Sequence, residues 1–177
     1  LDFELYMRTR IWQPAEMSRT ALDVPAQIVP RRGRGYGRDG DGNRINATFF
    51  DMPALWAAGG VLSTAGDLAR LGVAINDGAL LERSTVTLMH RAQVDPVMEF
   101  KVGGPPEERD FVQALGWWID TDARGRRYVN HTGQIRGVSS ILMNYLDDDL
   151  VIALVANILP FDARTHGEAL AQIFFEQ

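Results

Sequence analysis

Histidine, threonine and glycine stand in direct succession within residues 130–137, which read Asn-His-Thr-Gly-Gln-Ile-Arg-Gly. Apolar stretches typical of β-strands precede and follow this segment, at residues 114–119 and 138–143. At the end of a strand, His131 and Thr132 can present polar groups to a ligand, and Gly133 allows close approach to the backbone. The pattern therefore predicts a ligand-facing site, and these residues alone leave its chemistry open.

The segments that must position this site are predicted to form a sheet. Four successive strands are expected, at residues 114–120, 127–132, 138–146 and 150–157. The acidic turn at residues 147–149 favours an antiparallel meander. Because residues 150–156 are apolar at every position, we expect the last strand to be central in the sheet.

Helices are predicted on both sides of these strands in the sequence. Thr64 is a candidate N-cap with Asp67 three residues later, and the helical pattern that follows ends at residues 76–78. A second helix is expected from Ser84, with His90 partly exposed in its last turn. The final helix is predicted to carry one apolar stripe, formed by Leu170, Ile173 and Phe174 with His166 on the same side.

Composition excludes several classes of function. The 177 residues are 46% hydrophobic and carry a net charge of −5, which argues against a nucleic-acid or anionic-membrane partner. The absence of cysteine rules out disulfides and cysteine metal sites, and no apolar run approaches the roughly 18 residues of a transmembrane span. No cofactor is indicated, and the compartment stays open, a periplasmic or secreted location being compatible.

Common catalytic and metal motifs are missing. The glycine-x-serine-x-glycine elbow does not occur around Ser63 or Ser139, and the three histidines have no metal-ligand spacing. Residues 39–43 resemble the start of a calcium loop, but the sixth position is Arg44 and the twelfth is Phe50. A hairpin turn is therefore expected there instead of a calcium site.

Several blocks of the chain, taken in order, resemble the C-terminal part of serine β-lactamase-like proteins, the superfamily of class C β-lactamases, DD-peptidases and esterases. The blocks are residues 11–20 (PLGM-x-x-T), 58–70 (AGGL-x-STA-x-DLARF), 115–117 (GLGW), 131–140 (HTG-x-x-G-x-SS) and Asn157 (closing VVLTN). The resemblance implies an α+β fold with an antiparallel sheet flanked by helices. It also implies that residues 1–177 form the C-terminal portion of one such domain.

The same resemblance assigns roles around the opening motif. In that family His131, Thr132 and Gly133 would replace lysine-threonine-glycine on a strand beside the nucleophile. Thr132 would line the substrate groove, and the backbone N–H of Gln134 would supply half of an oxyanion hole. A histidine can be neutral near pH 7, which weakens the case for an anionic β-lactam and leaves ester and peptide substrates open.

The family's nucleophile motif, serine-x-x-lysine, is absent from these 177 residues. The only lysine is Lys101, and Met98 stands three residues before it. Residues 128–130 match the letters of the family's tyrosine-x-asparagine motif, but they lie in the strand leading into His131, so we regard the match as coincidental. We therefore expect the reactive serine, lysine and tyrosine in an upstream part of a longer protein.

Two functions from different classes remain. In the first, the chain is part of a serine hydrolase that acts through an acyl-enzyme on an ester, amide or β-lactam, and is inactive alone. In the second, it is a non-catalytic binding or scaffold module that keeps the fold. In either case we expect exposed apolar surface that pairs with the missing N-terminal segment or leads to self-association.

Overall fold

The structure, a computed structural model, describes residues 2–50, 52–94, 97–99 and 107–176. A six-stranded antiparallel sheet organises it, with the strand order β10-β9-β8-β7-β6-β5. The strands are β5 (Val97–Glu99), β6 (Glu107–Gln113), β7 (Trp118–Thr121), β8 (Arg127–Ile135), β9 (Val138–Tyr145) and β10 (Leu150–Ala156). The predicted meander is thus confirmed, although its first strand starts later than expected and two further strands, β5 and β6, precede it.

Shorter elements precede the large sheet. They are helix α1 (Phe3–Met7) continuing into a π-helical segment (Arg8–Trp12), strands β1 (Ala21–Leu22), β2 (Tyr36–Arg38), β3 (Arg44–Asn46) and β4 (Val61–Leu62), and a 3-10 segment (Met52–Ala58). β1 pairs with β4, and β2 pairs with β3 in the hairpin that the acidic turn predicts. Three more helices complete the α+β fold: α2 (Ala65–Asn76), α3 (Arg83–Met89) and α4 (Ala163–Phe175).

Two hydrophobic clusters cover the two faces of the sheet. Alternate residues of β8 and β9 belong to different clusters, since Tyr128 and Met143 pack with α4 whereas Val129 and Leu142 pack with α2. Adjacent strand residues point to opposite faces, so α4 and α2 cover opposite sides of the sheet. This arrangement explains why residues 141–145 of β9 are all buried, and it holds β8 between two layers of helix.

The position of β10 corrects the prediction of a central strand. Among the described residues, β10 lies at one end of the strand order, with β9 as its only partner in the sheet. Its apolar residues are explained by the layers, because Ile152 faces the α4 cluster and Val151 the α2 cluster. A continuous apolar run reports burial on both faces of a strand, and it carries no information about the strand's lateral neighbours.

The buried face of α4 also differs from the prediction. Leu170, Ile173 and Phe174 are 39%, 57% and 56% exposed, whereas Ala163, Gly167 and Ala171 face the sheet. A Cβ atom on Gly167 would lie 2.5 Å from the sulfur of Met143, so only very small residues fit against β9. The stripe predicted from its large apolar side chains therefore faces outward, and the small residues face the sheet. His166 is exposed on the same side as this stripe, and its Nδ1 is hydrogen-bonded to the carbonyl oxygen of Asp162 at 2.7 Å.

Helix α2 begins as its capping signal predicts, but only half of the capping box forms. The backbone N–H of Asp67 donates to the Thr64 hydroxyl at 3.1 Å. The Asp67 carboxylate, which is fully buried, instead accepts the Arg19 N–H at 2.7 Å, the Thr20 hydroxyl at 2.8 Å and the Arg70 guanidinium at 2.9 Å. One carboxylate thus ties the segment before β1 to the start of α2.

His90 has the predicted position, directly after α3, but not the predicted exposure. It is 4% exposed, its ring packs edge-on against Trp117 at 5.4 Å, and neither ring nitrogen has a hydrogen-bond partner within the described part of the chain. Burial lowers the pKa of His90 from its ordinary 6.5 to about 4, and the nearby Arg127 guanidinium adds to this effect. The folded protein therefore favours the neutral imidazole.

This burial predicts an acid-dependent loss of stability. The pKa of His90 is lower when folded than unfolded, so the unfolded chain binds the additional proton, and stability falls as the pH drops from about 6.5 towards about 4. The loss should reach roughly 3 kcal/mol at most. Urea unfolding at about pH 7.5 and about pH 4.5 measures it, and His90→Leu should remove this part of the pH dependence. If the free energy of unfolding of His90→Leu fell with pH as steeply as that of the unmodified protein, the assignment to His90 would be contradicted.

Candidate active site

The predicted site lies where β8 extends beyond one of its two neighbours. The last pair between β7 and β8 is Trp118 with Asn130, whereas β8 continues to pair with β9 as far as Ile135. A turn formed by residues 114–117, closed by a hydrogen bond from the Ala114 N–H to the Trp117 carbonyl at 2.8 Å, precedes β7. Residues 131–135 therefore have an edge without a strand partner among the described residues.

The turn between β8 and β9 determines which backbone groups face that edge. Ile135 pairs with Val138 across a two-residue turn, in which Arg136 and Gly137 have φ angles of 22° and 80°. In such a hairpin the flanking pair exchanges hydrogen bonds, and pairing then alternates along the strands. Since Ile135 bonds to β9, the N–H of Gln134 must point away from β9 and towards the open edge.

The other predicted site residues occupy the same segment. The side chains of His131 and Gln134 are exposed, and that of Thr132 is half-buried. Nδ1 of His131 lies 2.8 Å from the carbonyl oxygen of Thr132, a group that alternation also places on the open edge. A Cβ atom at Gly133 would lie 2.8 Å from the Ser140 hydroxyl, so glycine matches the space available here. The structure thus brings all four residues to one exposed strand end.

The β2–β3 hairpin covers the turn that follows. A Cβ atom on Gly137 would lie 2.6 Å from the Tyr36 nitrogen, and one on Gly35 would lie 2.5 Å from the Arg136 oxygen. Two backbones in contact at this distance leave no room for side chains, and the positive φ of Gly137 favours glycine independently. Tyr36 also binds the chain after β10, through its N–H to the Asn157 oxygen at 2.9 Å and its oxygen to the Leu159 N–H at 3.0 Å.

A cleft of about 360 Å³ lies between this hairpin and the end of β8. It is lined by Tyr36, Gly37, Arg38, Ile45, Asn46, Ala47, Thr48, Gln134, Arg136, Gly137, Leu159 and Pro160. A larger cleft of about 480 Å³ borders α2, but its lining includes none of residues 131–137. Of the predicted site residues, Gln134 lines the smaller cleft, whereas His131, Thr132 and Gly133 are not among its described lining residues. We therefore associate the candidate chemistry with the strand end at Gln134, where the smaller cleft begins.

Sequence reasoning located the strand end but missed the hairpin side of this cleft. Tyr36, Arg38 and Arg136 line it, and none of them was a predicted site residue. The available signal was the arginine- and glycine-rich stretch at residues 31–44, together with Arg136 inside the motif itself. Nothing in the local pattern indicates that these two segments meet, because about 100 residues of sequence separate them.

Tyr128 and Asn130 are unsuited to a catalytic role in this structure. Both side chains are buried, and the Tyr128 hydroxyl donates to Glu168 on α4 at 2.5 Å. Burial, reinforced by the neighbouring Glu168 carboxylate, raises the pKa of Tyr128 far above its usual value, so the phenol stays protonated. Both residues therefore have a structural role, which agrees with our interpretation that their match to the tyrosine-x-asparagine motif is coincidental.

Neither a metal site nor a membrane-spanning helix is found in the described ranges. No group of three or more histidine, aspartate or glutamate side chains there is placed to hold a metal ion. Among the helices of those ranges, none is long and apolar enough to cross a membrane.

Known proteins resemble this chain in sequence and in fold. The family model described as Beta-lactamase matches residues 1–174. The mitochondrial serine beta-lactamase-like protein LACTB of Homo sapiens is 25% identical over 170 residues, covering 88% of this chain and 31% of that protein. The Mus musculus protein of the same name is also 25% identical. The chain thus spans about a third of the length of these curated relatives.

Solved structures share the fold at low sequence identity. The octameric penicillin-binding protein homologue of Pyrococcus abyssi aligns with a TM-score of 0.82 at 16% identity, covering the whole of this chain and 38% of its own. The D-amino acid amidase of Ochrobactrum anthropi SV3, complexed with L-phenylalanine amide, aligns at 0.75 with 21% identity, covering 98% of this chain and 51% of its own.

Proposed function

The chain belongs to the β-lactamase family, and we propose that it forms one wall of a serine hydrolase active site that works through an acyl-enzyme. Membership places it in a superfamily of serine hydrolases that includes penicillin-binding proteins and amidases. The observation that carries the proposal is the open edge of β8, where the N–H of Gln134 points away from β9. A backbone donor at such an edge is free to bind a substrate oxygen.

The geometry supports a specific division of roles. The N–H of Gln134 stabilises the oxyanion that develops in acyl transfer, where a preorganised donor acts most strongly. Thr132 and Gly133 precede Gln134 on the same open edge, where we assign them to contact the substrate, one through its hydroxyl group and the other by allowing close backbone approach. His131, exposed beside them, interacts with the substrate or with the reacting groups. The substrate is an ester, an amide or a β-lactam.

The nucleophile and its base come from a segment outside these 177 residues. Covalent catalysis by serine needs a base within hydrogen-bonding distance, and serine-x-x-lysine does not occur in this sequence. The relatives offer room for such a segment, since this chain covers only 31% of the human LACTB protein and 51% of the D-amino acid amidase. We therefore expect this chain to be inactive alone.

Two exposed surfaces indicate that this chain binds a partner. β10 has one edge without a strand partner among the described residues, and the apolar side chains of Leu170, Ile173 and Phe174 face outward on α4. Unpaired edges and apolar stripes are unfavourable in water, so we propose that the remainder of a longer protein covers them. Self-association is the alternative, and the octameric assembly of the Pyrococcus abyssi homologue favours it.

Hydrolysis of a chromogenic ester tests the proposed function. We expect the complete protein to release para-nitrophenol from a short-chain ester and to be acylated by a labelled penicillin or a fluorophosphonate probe. The 177-residue chain alone should do neither, because it lacks the nucleophile motif. Both proteins are compared at equal concentration, with mass spectrometry detecting the acyl adduct. Turnover by the isolated chain, or no reaction with the complete protein, would contradict the proposal, and the latter would favour a non-catalytic module.

A further inference from the structure

The cleft beside Gln134 carries an excess of positive charge. Arg38 and Arg136 line it, and the guanidinium of Arg44 lies 5.9 Å from the ring of Tyr36, which also lines it. None of these three arginines forms an ion pair with a carboxylate in the described part of the chain. No aspartate or glutamate is among the cleft's described lining residues. The Arg38 guanidinium donates one hydrogen bond to the Gly42 carbonyl oxygen at 2.9 Å, a neutral partner that leaves its charge uncompensated. Arg136, directly after β8, is therefore the main positive charge that the cleft offers to a ligand.

The acidic residues of the adjacent turn do not neutralise this charge. The Asp39 carboxylate accepts the N–H groups of Asp41 and Asn43, at 3.0 and 2.8 Å, and the Asn43 amide at 3.2 Å. These hydrogen bonds, those from Asn43 above all, lower the pKa of Asp39. The carboxylate is thus oriented into its own turn, at the far end of the hairpin from Tyr36.

Arg136 is held at the mouth of the cleft by its backbone. Gly35 packs closely against the Arg136 carbonyl oxygen and against Gly137, which fixes the turn there. The Arg136 guanidinium lies 5.6 Å from the ring of Phe50. Phe50 supports one face of the guanidinium plane, while the N–H groups at its rim stay available for a planar anion. Only Ile135 separates Arg136 from Gln134 in the chain, so an anion bound there would belong to the same substrate molecule.

We propose that Arg136, with Arg38 from the hairpin, forms a subsite for a carboxylate carried by the acyl substrate and makes the enzyme prefer anionic substrates. This inference rests on the proposed function, because the carboxylate is recognised beside the Gln134 amide. A histidine, His131, stands before Thr132, at the position of the lysine in the lysine-threonine-glycine motif. In this chain Arg136, in the turn after β8, and Arg38, on β2, supply positive charge at a different point of the substrate.

A matched pair of esters tests the proposal in the complete protein. The mono-para-nitrophenyl ester of succinic acid and para-nitrophenyl butyrate have acyl chains of the same length and differ in the terminal carboxylate. We expect the ratio of their kcat/KM values to favour the succinate ester, and Arg136→Gln to lower this ratio about fivefold. Arg136→Lys should have a smaller effect, and added salt should reduce the preference of the unmodified protein.

Arg83→Gln is the control for net charge. Arg83 is an exposed residue at the start of α3, and it does not line the cleft. The succinate-to-butyrate ratio should stay unchanged in this variant. A ratio that Arg136→Gln leaves unaltered, or that Arg83→Gln lowers equally, would overturn the subsite.

A binding measurement separates this inference from the proposed function. Monomethyl succinate is titrated into the unmodified protein and into Arg136→Gln at constant ionic strength, with the amide NMR signals of residues 134–137 as the readout. Saturable shifts that the substitution weakens about fivefold support the carboxylate subsite even if neither ester is hydrolysed. Hydrolysis of both esters without a dependence on Arg136, or no binding difference, refutes the subsite and leaves the hydrolase proposal standing.

Discussion

Replacing Gln134 by proline in the complete protein should lower kcat for ester hydrolysis by about 10²–10³-fold while preserving the fold. Proline removes one backbone N–H and little else at this position. Because the Gln134 N–H points away from β9, its loss costs the sheet no ladder hydrogen bond. The extended backbone at the open end of β8 also accommodates the φ angle of proline. The substitution thus deletes the proposed oxyanion donor selectively.

Two neighbouring variants make this test specific. Gln134→Ala removes the exposed side chain but keeps the N–H, so its kcat should stay close to that of the unmodified protein. Ile135→Pro removes an N–H that faces β9, and it should lower the melting temperature instead. Circular dichroism melts of all three variants accompany the kinetics. Equal activity of Gln134→Pro and Gln134→Ala would refute the role of the amide.

Replacing Asp67 by alanine should destabilise the chain by about 2–4 kcal/mol. The Asp67 carboxylate is fully buried and accepts hydrogen bonds from the Arg19 N–H, the Thr20 hydroxyl and the Arg70 guanidinium. Removing it leaves those donors without their acceptor and opens a cavity at the start of α2. Urea unfolding should show a lower midpoint with an unchanged dependence on urea concentration.

Asp77→Ala is the matched control for this effect. Asp77 is the exposed residue directly after α2, and its removal should change stability by less than about 0.5 kcal/mol. Asp67→Asn keeps the volume but loses the charge, so we expect an intermediate loss. A free energy of unfolding for Asp67→Ala within about 1 kcal/mol of that of the unmodified chain would show that the network contributes little.

Local signals in the sequence predicted the elements that are determined by neighbouring residues. The start of α2 follows from the Thr64 hydroxyl and the N–H of Asp67, which are three positions apart. The β2–β3 hairpin follows from an acidic turn whose polar groups bond to one another. Short-range chemistry of this kind is complete within a few residues, so the sequence contains it directly.

Predictions that depended on partners from elsewhere in the chain were wrong. His90 is buried because Trp117 packs against it, and the outward stripe of α4 follows from the space left by Met143. β10 is apolar on both faces, yet it lies at an edge of the sheet. In each case residue type indicated the preference for burial, and the position of a distant element decided whether and where burial occurs.

By itself the sequence determined the family, the α+β class and the strand end that carries His131, Thr132, Gly133 and Gln134, because these follow from ordered motifs and local periodicity. Only the tertiary structure decided that β7 stops before β8 does, which leaves the edge at Gln134 open. It also decided that the hairpin at Tyr36 meets the turn at Gly137 and forms a cleft lined by Arg38 and Arg136. The physical reason is that such contacts join residues about 100 positions apart, where the packing of whole elements sets the distance and local pattern has no influence.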